Sequence, residues 1–235
     1  MFTTNDALLA SLAMIDTPTA TATWRPIHHT EARSVLLDSL LAAGIHPTAE
    51  TIETDLDGQF AYGRFTLPGT DDAAWRMEAA WINDHTKTRG YTLAAGERVG
   101  VCSNGCVFAE TVLKTKRTSG VMGRLADMTA EFTAGLRAAY VSNEARRVAY
   151  GGQLLGADYA RSLVVRLAEA GCYPSNKILP VLAEFENPSF DYTHAPSSVL
   201  GLQSAVTHIA KGFRSGTQHD RTLRLTGVLD SVAGV

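Results

Sequence analysis

The apolar positions of the chain change period twice, and the two changes divide it. In TEARSVLLDSLLAAG (30–44), Val35, Leu36, Leu40 and Leu41 recur at helical spacing, Thr30 is a candidate N-cap and Gly44 a stop. From His46 the period drops to two. TAETIETDL (48–56), QFAYGRFTL (59–67), AAWRMEAAWIND (73–84) and GYTLAAGERVGVC (90–102) each predict a strand, with Asp57-Gly58 as a hairpin signal between the first two. Strands that follow one another without helices between them predict an antiparallel meander with one packed and one wet face.

After Ser119 the helical period returns. In SGVMGRLADMTAEFTAGLRAAYVSNEARR (119–147), Val121, Leu125, Met128, Phe132, Leu136 and Tyr140 form one stripe. Further helices are predicted near 154–170, 176–186, 197–211 and 218–233, interrupted by GCYPSN and NPSFDYTHAPS. The expectation is an α+β fold: an N-terminal antiparallel meander with one early helix, then a helical C-terminal half. Residues 1–23, ending TPTATAT, read as a flexible arm. Residues 24–235 read as a single α+β domain, sheet-rich over 24–118 and helical over 119–235.

Composition narrows the class. With 235 residues, 45% apolar and 19% charged, the chain can bury a sizeable core and is not a disordered one. No apolar run approaches the roughly 18–20 residues of a membrane span. The start, MFTTNDALLASLAM, lacks the basic opening and cleavage pattern of a secretory signal, and three cysteines do not make a disulfide framework. Both point to the cytoplasm. Residues 1–100 carry 13 acids and 7 bases, a balance of −6, and 101–235 carry 11 and 14, a balance of +3, together the net −3. The basic excess of the second part is a local footprint for a polyanion.

Two basic clusters carry that footprint. Lys114, Lys116, Arg117 and Arg124 lie in and just after TVLKTKRTSG, where Lys114 and Lys116 share one side of a strand that turns through glycine into a helix. Lys211, Arg214, Arg221 and Arg224, with His219, lie in KGFRSGTQHDRTLR, and Phe213 is interleaved with them. Cations beside a helix start suit phosphate.

The motifs of hydrolases, zinc proteases and nucleotide-binding loops are absent. Cys102 and Cys106 stand at a spacing zinc accepts, but Cys172 is alone and no histidine pair completes a site. Cys102 therefore reads as a packed strand residue, followed by a turn in which Asn104 or Gly105 takes positive φ. No metal or cofactor is expected. Asp84 beside His85 is a candidate acid–base or ion-ligand pair, to be joined by Glu97 or Glu110 in a metal-dependent nuclease; the alternative is a turn whose side chains cap the backbone.

The order Asn83-Asp84-His85-Thr86, then Arg98-Val99-Gly100-Val101-Cys102-Ser103-Asn104-Gly105, then Lys116-Arg117-Thr118-Ser119-Gly120 resembles the signature of the "domain of unknown function 932" family of phage and plasmid proteins. Members carry Asn-Ser-His-Asp-Gly, then an Arg-Val-x-Cys-x-Asn-Gly-like strand and turn, then a basic His-Thr-Gly-like element before a long helix. The resemblance spans most of 22–233. Thr86-Lys87 departs from the Asp-Gly of the first motif, and Arg117 stands where the second histidine would. The family's setting among DNA-processing genes implies DNA handling: binding single-stranded DNA or junctions, with annealing or recombination as the process and homo-oligomerisation as a common accompaniment. Asn83, His85, Arg98, Cys102, Asn104 and Gly105 would then shape the loop beneath the phosphate-holding cations. A protein-binding module, acting on a host or phage partner, is the alternative of a different class.

Overall fold

The computed structural model describes residues 6–55, 57–68, 75–99, 108–190, 196–210 and 215–235. The fold is α+β, a five-stranded antiparallel sheet followed by a helical half. The elements in order are α1 (Asp6–Ala13), α2 (His29–Ala42), β1 (Ala49–Asp55), β2 (Phe60–Thr66), β3 (Trp75–Asp84), β4 (Tyr91–Val99), β5 (Phe108–Thr115), α3 (Val121–Gly152), α4 (Ala157–Glu169), a 3-10 turn (Ser175–Lys177), α5 (Ile178–Glu186), α6 (Val199–Ile209) and α7 (Ser215–Ala233). Among the described residues no helix is long and apolar enough to cross a membrane.

The chain divides into two compact units: 1–71 with 77–96 and 110–139, and 72–76 with 97–109 and 140–235. One boundary between the units falls inside α3, at 139/140.

In the first unit the strands follow chain order, β1-β2-β3-β4-β5. Asp57 and Gly58, within the connection from Asp55 to its partner Phe60, take φ of 54° and 82°, the positive values that the central residues of a primed turn require. The pairs Ala61↔Asn83, Gly63↔Trp81 and Phe65↔Ala79 put these six residues on one face. A Cβ at Gly63 would fall within the Trp81 indole, so glycine lets the indole lie across the sheet. Glu50 is on that face too, opposite Phe65, and takes a bidentate ion pair from Arg33 of α2 at 2.7 and 2.8 Å. Ala32, Leu36 and Leu40 of α2 are fully buried, and the Tyr91 hydroxyl donates to the Ala32 carbonyl at 2.8 Å. Ser39 reaches Thr129 and Thr133 of α3.

Helix α2 begins earlier than its apolar periodicity predicts. His28, not Thr30, is the N-cap, its ring accepting from the Thr30 N–H, while Gly44 (φ 73°) follows the helix as expected. Residues 6–13, expected within a loose arm, form α1, and Leu12 is 1% exposed.

In the second unit the end of α3 and helices α4 to α7 enclose a core of Tyr150, Leu163, Leu167, Val181, Leu202, Leu225 and Leu229. Ser198 caps α6, and Gly171 (φ 76°) follows α4. Arg146 donates to both oxygens of Asp230 (2.6 and 3.2 Å), and the Tyr150 hydroxyl adds a third bond at 2.6 Å.

Candidate functional site

The first unit gathers its buried polar groups at one end of β3. Strand alternation sets this up: Asn83 shares the packed face of Trp81 and Ala79, and His85 follows two residues on. The His85 N–H bonds the Gln59 carbonyl at 2.6 Å, extending the β2–β3 ladder past Asp84. His29, first residue of α2, lies over His85 with ring centroids 4.0 Å apart and planes 14° apart.

The hydrogen bonds determine the protonation of each ring. Nε2 of His29 donates to the Gly58 carbonyl and Nε2 of His85 to the Ile27 carbonyl, both at 2.8 Å. A carbonyl only accepts, so both neutral rings carry their hydrogen on Nε2. Asn83 Nδ2 donates to the Ile27 carbonyl (2.8 Å) and to Nδ1 of His29 (3.0 Å), and Asn83 Oδ1 accepts from the Arg117 guanidinium at 3.0 Å. The other arm of that guanidinium donates to the Arg89 carbonyl. This network is satisfied except at one atom: Nδ1 of His85 is buried and has no partner among the described residues.

Electrostatics keeps the rings neutral. Burial lowers the pKa of His29 to about 4; the bond to Gly58 opposes this, while His85, His28 and Arg117 add to it. Burial also lowers His85, with Arg117 and His28 in the same sense and Asp84 against. For Asp84 burial acts upward, but hydrogen bonds from Thr86 and Thr88 outweigh it and hold the carboxyl below its ordinary value. Burial lowers Arg117 too, against Asp84.

An irregular segment, Trp24–His28, closes over this cluster. The Arg25 N–H bonds the Arg117 carbonyl at 2.9 Å, and Ile27 supplies the shared carbonyl. The Lys87 ammonium stands 4.7 Å from the centre of the Trp24 ring, and the Arg117 guanidinium 5.9 Å. Lys87 has φ of 68°, left-handed backbone that a lysine adopts at a cost.

The structure sorts the sequence candidates. Lys114 and Lys116 are exposed, as the alternation of β5 predicts, and Arg124 is exposed on α3. Arg117 departs from expectation. It follows the inward parity of Leu113 and Thr115, is 3% exposed and spends its donors on Asn83 and Arg89. Arg124 clasps the turn before its own helix, donating to Thr115 Oγ1, the Lys116 carbonyl and Thr118 Oγ1 at 3.3, 3.0 and 2.6 Å. Arg221 and Arg224 stand on α7 in the second unit, with Arg224 3.4 Å from the Gly171 carbonyl. Lys211 and Arg214 lie outside the described residues, as do Cys102, Asn104 and Gly105. The side chains of Arg98, Glu97 and Glu110 are likewise outside what is described. Both Asp84 oxygens take bonds from Thr86 and Thr88 at 2.5–2.6 Å, the capping pattern of a turn. Among the described residues no group of three or more His, Cys, Asp or Glu could hold a metal ion. Cys172 is buried, and burial pushes its thiol up to about 11.

Sequence reasoning missed Trp24, His29 and Lys87. For Trp24 and His29 the available signal was the TWRPIHH run ahead of α2, which reads as an opening segment and not as part of a site, and Lys87 stood out only as part of the Thr86-Lys87 departure from the motif. The chain matches no family model, no curated protein and no solved structure.

Proposed function

We propose that the first unit binds single-stranded nucleic acid through the surface around Trp24, and that the chain is a DNA-handling protein of a phage or plasmid. Kinship with the "domain of unknown function 932" family, and action in the cytoplasm, belong to the same reading. The observation that carries it is the grouping of cations about an aromatic ring. Lys87 stands over Trp24, exposed Arg25 is bonded through its backbone to Arg117, and exposed Lys116 precedes Arg117 directly. Among the described residues the carboxylate that acts on this cluster is Asp84, and its oxygens are occupied by threonines. A left-handed lysine is a residue type kept where glycine or asparagine would be easier, which supports a role for its charge. Phosphates would meet Lys87, Lys114 and Lys116, and a base would have the edge of Trp24 to stack against. Arg117 does not touch phosphate in this reading; it positions the segment that does.

The test is fluorescence anisotropy with a labelled single-stranded oligonucleotide and its duplex, at roughly 50 and 200 mM salt. The single strand is expected to bind more tightly. Lys116→Ala should weaken binding on every sequence and reduce the salt slope by about 1. Absence of binding at the lower salt would overturn the proposal and favour a protein partner.

A further inference from the structure

We propose that Trp24–His28 is a strap released by mild acid, with the stacked His29 and His85 rings as its proton sensor. The inference does not depend on nucleic-acid binding, because it concerns the closure of the segment itself.

The strap is anchored by the buried Ile27 side chain and, at its ends, by the Trp24 and His28 carbonyls, which accept from the Thr21 and Ala32 N–H groups. Its tethers to β3 and Arg117 are few: the Arg25 N–H on the Arg117 carbonyl at 2.9 Å and the Ile27 carbonyl, which receives Asn83 Nδ2 and His85 Nε2 at 2.8 Å each. The Asn83 bond to Ile27 depends on a neutral His29, whereas the His85 Nε2–H donates to Ile27 in either protonation state. Nε2 of His29 already carries a hydrogen, so an added proton must go to Nδ1, where it would face the N–H of Asn83 at 3.0 Å. Two donors cannot share that contact. If Asn83 turns its amide to offer oxygen to His29, it withdraws its N–H from Ile27 and its acceptor from Arg117. A proton on His85 must likewise go to Nδ1, a buried atom with no acceptor among the described residues. The rings, 4.0 Å apart, cannot both be charged without direct repulsion.

The surrounding charges do not relieve this. From the start of α2 the facing group is His28, and from the β5–α3 connection it is the Arg117 cation; both disfavour a charged ring. Among the described residues only Asp84, at the end of β3, favours a charged ring, and it acts on His85. In the open strap an imidazole in water titrates near 6.5, whereas His29 in the closed strap titrates near 4. Because the closed value is depressed, closure is fully stable above about pH 6.5 and is lost progressively as pH falls from there towards 4. His29 alone would raise the opening equilibrium roughly thirtyfold between pH 7.5 and 5. His85 adds in the same direction.

Hydrogen–deuterium exchange on the full chain, from pH 7.5 to 4.5 and corrected for the intrinsic pH dependence of exchange, tests the proposal. Peptides covering 24–29 should lose protection by roughly an order of magnitude or more below pH 6 while those covering 60–66 of β2 keep theirs. Unchanged protection of 24–29, or loss in step with β2, would overturn it. Asn83→Asp places an acceptor between His29 and Arg117, so the opening should move down by about one pH unit or more; opening at the unaltered pH would also overturn it. Should that variant not fold, the ring nitrogens of the wild-type histidines can be followed by NMR. At least one of the two rings must leave its neutral Nε2–H form at the pH where the strap opens, and two rings that stay neutral through the opening would refute the sensor.

Discussion

The two units each hold an arginine in a hydrogen-bonded cluster, but they compensate it differently. In the second unit Arg146 meets a carboxylate: Asp230 receives two bonds from it and a third from Tyr150. Charge answers charge, both partners keep about a fifth of their side-chain surface in solvent, and every group of the trio is bonded. In the first unit Arg117 meets neutral acceptors, Asn83 Oδ1 and the Arg89 carbonyl. The same asparagine serves His29 and Ile27, so three groups from two distant stretches of the chain hang on one amide. The first arrangement is a fastener and the second a balance: a proton added to the second must displace a bond already made.

That contrast predicts unequal costs. Asn83→Leu keeps the approximate shape but strands Arg117, His29 Nδ1 and one bond of Ile27 in a buried place. A loss of about 3–5 kcal/mol is expected, read as a lower urea midpoint followed by tryptophan fluorescence. Asp230→Ala should cost less, about 1–3 kcal/mol in the same assay, because water can reach Arg146 and Tyr150 when the carboxylate is gone. A larger loss in Asp230→Ala than in Asn83→Leu would invert the comparison. The smallest effect is expected at Lys87. Lys87→Gly relieves left-handed backbone but removes the cation over Trp24 and loosens the unfolded chain, leaving stability within about 0.5 kcal/mol of the parent. Its oligonucleotide affinity should nonetheless fall severalfold in the anisotropy assay.

Much of the first unit could be read from local pattern. The Asp57-Gly58 connection, the meander order and the outward side of Lys114 and Lys116 all follow from turn chemistry and a period of two, which act over a few residues. The stripe from Val121 to Tyr140 likewise marks the first part of α3, although the helix runs on to Gly152. The apolar period placed the start of α2 at Thr30. Histidine caps by accepting the Thr30 N–H at 3.2 Å, a role its residue type seldom announces. The tie of α1 to the fold through Leu12 was also hidden, because a Thr- and Ala-rich neighbourhood looks loose whatever it packs on.

By itself, then, the order of residues determined the kinds of elements, their succession and which β5 lysines face out. Those properties come from backbone propensity and periodicity, and both are short-ranged. Only the tertiary structure decided that His29 stacks on His85 across 56 positions, that Arg117 turns from the basic cluster to Asn83, and that Trp24 lies beneath Lys87. A buried polar group must find its partner wherever the fold brings one, and neither residue type nor spacing names that partner in advance. The site is written in those distant pairings, and for that reason it came into view only when the strands and α2 were seen packed together.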